Sequence, residues 1–181
     1  MGDPFHAVQM DPAYASAHNN FGNALLDKGR AAEAIVQYRE ALRIRPGDGI
    51  AHINLGIALQ KSGQPAEAIA EYEKALALQP NHPEALTDLA WLLATCPQAP
   101  LRDGPKALAL AQKADAQTGG NSPMALHSLA AALAETGQFE QAIKTVQKAI
   151  NLAQTSGQKE LVERFSGELK RYEAGQPARE D

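Results

Sequence analysis

One cysteine, Cys96, stands in the 181 residues. No disulfide can therefore close within the chain, and a zinc finger or CxxC redox pair, each needing several thiolates, is excluded. Positive charge is scarce too: 17 Lys and Arg against 21 Asp and Glu leave a formal net charge of -4. Phosphate recognition needs concentrated Lys and Arg to displace counterions, so no nucleic-acid partner is expected. Long apolar runs are missing. The richest, Ala85 to Cys96, contains Thr87 and Asp88 and falls well short of the roughly 20 residues that a membrane span requires. Met1 to His6 has neither the basic flank nor the apolar core of a signal peptide. The compartment stays unknown, with the cytoplasm as default and a leader on a longer parent left open. Hydrophobic residues at 44% are enough to bury the core of one or two soluble domains.

What is present is a repeat. At an offset of 34 residues His18 pairs with His52, Phe21 with Leu55, Gly22 with Gly56 and Leu25 with Leu59. The same offset joins Gly29 to Gly63, Ala34 to Ala68, Tyr38 to Tyr72, Ala41 to Ala75 and Pro46 to Pro80. Within each unit, apolar residues at positions 4, 7 and 11 form one stripe of a first helix, and a small residue at 8 lets a second helix approach closely. Gly63 turns the chain between them, Pro65 suits the first turn of the second helix, and Pro80 stops it.

This pattern, His52-x2-Leu55-Gly56-x2-Leu59 followed by Ala68-x3-Tyr72, Ala75 and Pro80, resembles that of the tetratricopeptide repeat family. The resemblance implies an all-α helix-turn-helix solenoid, a right-handed superhelix closed by a capping helix. Residues 1–14 read as the second helix of a truncated preceding repeat, 15–48 and 49–82 as the first and second repeats. The third, 83–121, has a lengthened inter-helix loop from Thr95 to Gly104, where Pro97 and Pro100 forbid a continued helix. The fourth spans 122–154, with Ser122 capping and Pro123 at the first helical position. Leu161, Phe165, Leu169 and Tyr172 recur at helical spacing and mark a capping helix over 157–173, with 174–181 as a flexible tail. The C-terminal part is also similar to the repeat segment of larger bacterial proteins, some carrying a membrane glycosyltransferase upstream.

No catalytic, cofactor or metal site is expected. His18 and His52 fall at position 4, a packing position, and equivalent sites in stacked repeats lie about 10 Å apart, too far to share a zinc ion. His6, His82 and His127 lack Cys, Asp or Glu at ligand spacing, and Gly119-Gly120 reads as a turn because no GK[ST] accompanies it. Cys96 lacks any partner that would activate it.

A second face of each first helix, positions 2, 5, 6 and 9, points away from the packing stripe. In the resembled family this side is the concave, ligand-holding groove. It carries Ser16, Asn19, Asn20 and Asn23, then Ile50, Ile53, Asn54 and Ile57, then Glu84, Thr87, Asp88 and Trp91, then Met124, His127, Ser128 and Ala131. Asn20 and Asn54 resemble the asparagine ladder of the O-linked sugar transferase repeats, whose amides hold a peptide backbone; Asp88 and Ser128 interrupt it. The carboxylate-clamp mode of the family lacks its cations here, Lys61 being the nearest.

The expected function is thus a protein–protein interaction scaffold. It would bind a peptide or helix through Asn19, Asn20, Asn23, Ile50, Ile53, Asn54, Ile57 and Trp91, with Glu84, Asp88 and Glu135 favouring a basic ligand residue. Trp91→Ala and Ile53→Asp should then abolish binding at unchanged helicity, unless these residues pack internally. The alternatives are self-association through the truncated N-terminal edge, or a regulatory appendage of a larger enzyme.

Overall fold

The computed structural model describes residues 12–180. These residues hold nine α-helices, one short 3-10 helix and no strand. The helix expected over 1–14 lies outside the described residues, except for its last three, which open the first helix below. The chain divides into two compact units, Met1–Pro80 and Asn81–Asp181.

The first unit contains α1 (Pro12–Asp27), α2 (Ala31–Ile44), α3 (Gly49–Lys61) and α4 (Pro65–Leu78). Helix α3 starts where Asp48 Oδ1 accepts the amide of Ala51 at 3.1 Å, filling one of the orphan donors of the first turn. It ends at Gly63, whose φ of 74° would strain any residue with a Cβ. The reversal is fastened by the amide of Gln64 donating to the Leu59 carbonyl at 2.9 Å, and Arg30 bonds Leu25 in the same way at 2.9 Å. Paired helices meet through a ring laid on a glycine. A Cβ on Gly22 would lie 2.6 Å from the Tyr38 ring, and one on Gly56 2.7 Å from the Tyr72 ring. Both tyrosines are fully buried.

The second unit contains α5 (Pro83–Thr95), a 3-10 turn (Ala99–Leu101), α6 (Gly104–Gln117), α7 (Pro123–Glu135), α8 (Phe139–Thr155) and α9 (Lys159–Glu173). Asp103 and Ser122 cap α6 and α7 by accepting the amides of Lys106 at 3.0 Å and Ala125 at 3.2 Å. The segment between α5 and α6 is pinned by Arg102, which donates to the Cys96 carbonyl at 2.8 Å and to Glu135 at 3.1 Å. Helix α9 lays Phe165 and Tyr172 into a core with Leu126, Val146, Ile150 and Ala153. Burial of side chains of this size is worth roughly 1.5–3 kcal/mol each.

The last residues depart from the reading of a free tail. Ala178 is buried in the same core. Arg179 donates to Glu135 at 2.7 Å and to the Ala94 carbonyl at 3.4 Å, and the amide of Glu180 donates to the Thr95 carbonyl at 3.0 Å. A terminal segment is expected to fray unless tied down, and this one is tied by the carbonyls of Ala94 and Thr95 at the end of α5.

Candidate protein-binding face

In the first unit the second face of α1 and α3 is built from amides. Asn54 Nδ2 donates to Asn19 Oδ1 at 3.0 Å, so neighbouring first helices are joined side chain to side chain. Asn23 accepts the Tyr38 hydroxyl at 2.8 Å, which ties the face to the ring that packs on Gly22. Asn20 is exposed. An amide has two donor hydrogens and two acceptor lone pairs, so each of these residues retains capacity after its internal bond. Ile57 is half-buried beside them and Ile50 is 42% exposed.

Ile53 is different. It is 1% exposed and belongs to the core, which corrects its assignment to a ligand-facing patch. Position 5 rotates the side chain away from the stripe of its own helix pair, yet a neighbouring element can still cover it, and the helical wheel contains no information about that cover.

His18 and His52 are packing residues with hydrogen bonds. His52 is 8% exposed, with Nδ1 2.6 Å from Glu71 and Nε2 3.0 Å from the Pro46 carbonyl. His18 Nδ1 meets Gln37 at 2.8 Å. No group of three or more potential metal ligands occurs among the described residues.

In the second unit the corresponding face of α7 is closed. His127, Ser128 and Ala131 are buried. His127 is sandwiched between Trp91 and Phe165, with ring centroids 4.2 and 4.3 Å away and planes 23° and 22° off parallel. Burial pushes its imidazole below the ordinary range, against the opposing pull of Glu168. The neutral ring donates from Nε2 to Glu168 at 2.5 Å, while Nδ1 is buried without a partner. Glu168 stands 41 residues beyond His127, on a helix absent from the repeat pattern, and no sequence spacing could have paired them.

Trp91 is half-buried. One face of its ring stacks on His127, and the Arg164 guanidinium lies 5.0 Å from the ring centroid, a cation–π distance. Beside it opens a cleft of about 570 Å³ walled by Arg164, Arg171, Arg179 and Glu168. These arginines were not among the sequence candidates, because two stand on the capping helix and one in the tail.

A second cleft, about 340 Å³, lies between the N-terminal half of α5 and the turn joining α6 to α7, lined by Glu84, Asp88, Thr118 and Met124 among others. Burial and the neighbouring Glu84 push the Asp88 carboxyl up to about 7.

Paired helices joined by glycine turns, small-on-large contacts between pair members, and a first-helix face rich in amides define a helical repeat scaffold. Family models settle which one. A TPR repeat model matches residues 22–63, and tetratricopeptide repeat models match 49–82, 71–118 and 125–156. The chain belongs to the tetratricopeptide repeat family. No curated protein is significantly similar to it in sequence.

Solved structures agree on the fold. MamA from Desulfovibrio magneticus RS-1, residues 41 to the end, is 21% identical with a TM-score of 0.66 and covers 90% of this chain and 97% of its own. PilF of Pseudomonas aeruginosa is 20% identical, with a TM-score of 0.66 over 84% of this chain and 73% of its own. The first TPR of Spaghetti (RPAP3), solved bound to the HSP90 peptide SRMEEVD, is 19% identical, with a TM-score of 0.59 over 66% of this chain and 90% of its own. Among the described residues no helix is long and apolar enough to cross a membrane.

Proposed function

We propose that this protein–protein interaction scaffold binds rather than catalyses, and that it holds an extended peptide of its partner on the amide face of α1 and α3. The observation that carries the reading is the Asn54–Asn19 bond of 3.0 Å. It fixes two amides side by side, each with donors and acceptors left over, next to exposed Asn20 and the apolar edges of Ile50 and Ile57. A peptide backbone needs donors and acceptors in alternation, which asparagine supplies. Trp91 serves the same purpose in the second unit, as an aromatic anchor of the kind that dominates interface energies.

Selection of a displayed random-peptide library on the immobilised chain tests this. Enriched peptides should bind an Asn20→Ala/Asn54→Ala double variant more weakly, by about 1 kcal/mol for each lost hydrogen-bonding partner, with unchanged circular dichroism. Equal affinity for the double variant, or no enrichment, would overturn the reading.

One observation favours a second use. Tyr14 and Phe21 on α1 are 49% and 55% exposed, and apolar surface of this kind suits pairing with another copy. Light scattering showing a concentration-dependent mass above 19.3 kDa without ligand, lost in Phe21→Ser, would favour self-association.

A further inference from the structure

We infer that the cleft between the N-terminal half of α5 and the α6–α7 turn receives a cationic side chain, Lys or Arg, from the protein partner. This rests on the scaffold reading above. The evidence is a carboxylate that the fold leaves without a counterpart. Asp88 occupies the helix position held in the first unit by Asn20 and Asn54, lines the cleft, and has no hydrogen bond or ion pair among the described residues.

No cation in the cleft neutralises it. The one other titratable group in the lining is Glu84, one helical turn earlier and of the same sign, an arrangement that is unfavourable by itself. The hydroxyls are engaged elsewhere: Thr87 donates to the Pro83 carbonyl at 2.8 Å and Thr118 to the Ala114 carbonyl at 3.1 Å. Ser122 Oγ accepts the Ala125 amide at 3.2 Å and caps α7, and no bond from its hydroxyl to Asp88 occurs among the described residues. Neither α6 nor α7 contributes a titratable group to the lining, so no internal cation balances the pair.

A carboxylate partly drawn out of water gains from a charged or hydrogen-bonding partner. A space of about 340 Å³ is at the scale of small ligand sites and admits one long side chain, its head between Glu84 and Asp88 and its methylenes against Met124. Two carboxylates with no third ligand suit an ammonium or guanidinium better than a metal ion, which takes six or more oxygens. The raised Asp88 value of about 7 adds a signature: a cation favours the ionised form, so its binding near neutral pH releases a proton and weakens as the pH falls.

The test uses the full chain labelled with 13C at aspartate carboxyls, titrated with n-butylammonium, n-propylguanidinium and uncharged n-pentanol. The two cations should shift the Asp88 carboxyl resonance saturably and lower its titration midpoint by about one unit, as an opposite charge at contact does. Pentanol should do neither, and Asp88→Asn should remove the response at unchanged helicity. An unmoved Asp88 resonance, an equal response to pentanol, or a stronger response to calcium would overturn the inference. In the peptide selection, Lys or Arg should be enriched at one position and the enrichment lost in Asp88→Asn. Peptides captured without that preference sink this inference and leave the scaffold reading intact. If no peptide is captured the scaffold reading fails, and the small-cation titration still decides the cleft.

Discussion

The two units pack helix on helix with different divisions of volume, uneven in the first and more nearly even in the second. In Met1–Pro80 the first helix gives glycine and the second gives tyrosine: Gly22 faces Tyr38, and Gly56 faces Tyr72 at 2.7 Å from an ideal Cβ. In Asn81–Asp181 the corresponding residues are Ala90 with Ala111 and Ala130 with Val146, all fully buried. A close-packed interior constrains the sum of facing volumes, so each enlargement on one helix comes with a reduction on the other. The units differ in their second faces as well. In the first, amides stay at the surface; in the second, His127, Ser128 and Ala131 of α7 are buried, with His127 stacked on Phe165 and bonded to Glu168.

The largest expected effect tests whether Ile53 belongs to the core. Ile53→Asp should cost about 4 kcal/mol or more, because it buries an unpaired charge. Far-UV circular dichroism should show the first unit melting early, whereas Ile50→Asp, on an exposed position, leaves the melt nearly unchanged. A wild-type melt for Ile53→Asp would return this residue to the binding face.

Next comes the glycine–tyrosine contact. Gly56→Leu should lose about 3 kcal/mol by overpacking against Tyr72, more than the gain of up to about 1 kcal/mol from removing a mid-helix glycine. Chemical denaturation measures the loss. Gly56→Ala combined with Tyr72→Val, which copies the second unit's division of volume, should recover part of the stability that Gly56→Ala alone removes; no recovery would break the comparison.

A smaller effect depends on pH. Asp88 has a folded value of about 7, raised from 3.8, so the unfolded chain releases this proton first. The stability that follows from the raised value is present below pH 3.8 and is lost as the pH rises through about 7. Asp88→Asn should therefore stabilise the second unit increasingly across that window, by about 2 kcal/mol at its upper end after allowance for partial solvation. His127 runs the other way: its value is lowered from 6.5, so its contribution is present above 6.5 and is lost as the pH falls. Melting temperatures of Asp88→Asn and of His127→Gln against pH would separate the two. A flat difference for Asp88→Asn would show that the carboxyl is solvated.

The smallest concerns the tail. Arg179, 32% exposed in its pair with Glu135, contributes under about 1 kcal/mol. Arg179→Ala should leave the melt almost unmoved while speeding hydrogen exchange at the Glu180 amide, which bonds Thr95. Unchanged exchange would mean that Ala178 alone holds the segment.

Whatever repeats in the chain could be read before it folded. Apolar positions three and four apart, glycines at the turns and prolines at helix starts act within a few residues, so His52 to Pro80 declares a helix pair without reference to the rest. The period equates Asn54 with Asn20, whereas the bond it makes is to Asn19, 35 residues away, a pairing set by how the helices stack. The burial of Ile53 could not be read either, because a helical wheel separates two faces while a solenoid helix has neighbours on three.

The sequence by itself determined the all-α repeat class, the close helix approach at Gly22 and Gly56 and the asparagines of the second face, since all three follow from spacing inside a 34-residue period. Only the tertiary structure decided that His127 is clamped by Trp91, Phe165 and Glu168, that Arg179 straps the tail to Glu135, and that Asp88 is left without a partner. The first two depend on groups brought together by stacking from outside the period, 41 residues apart for His127 and Glu168 and 44 for Glu135 and Arg179. Distance along the chain carries no signal for such meetings, because they are set by where packed helices end up.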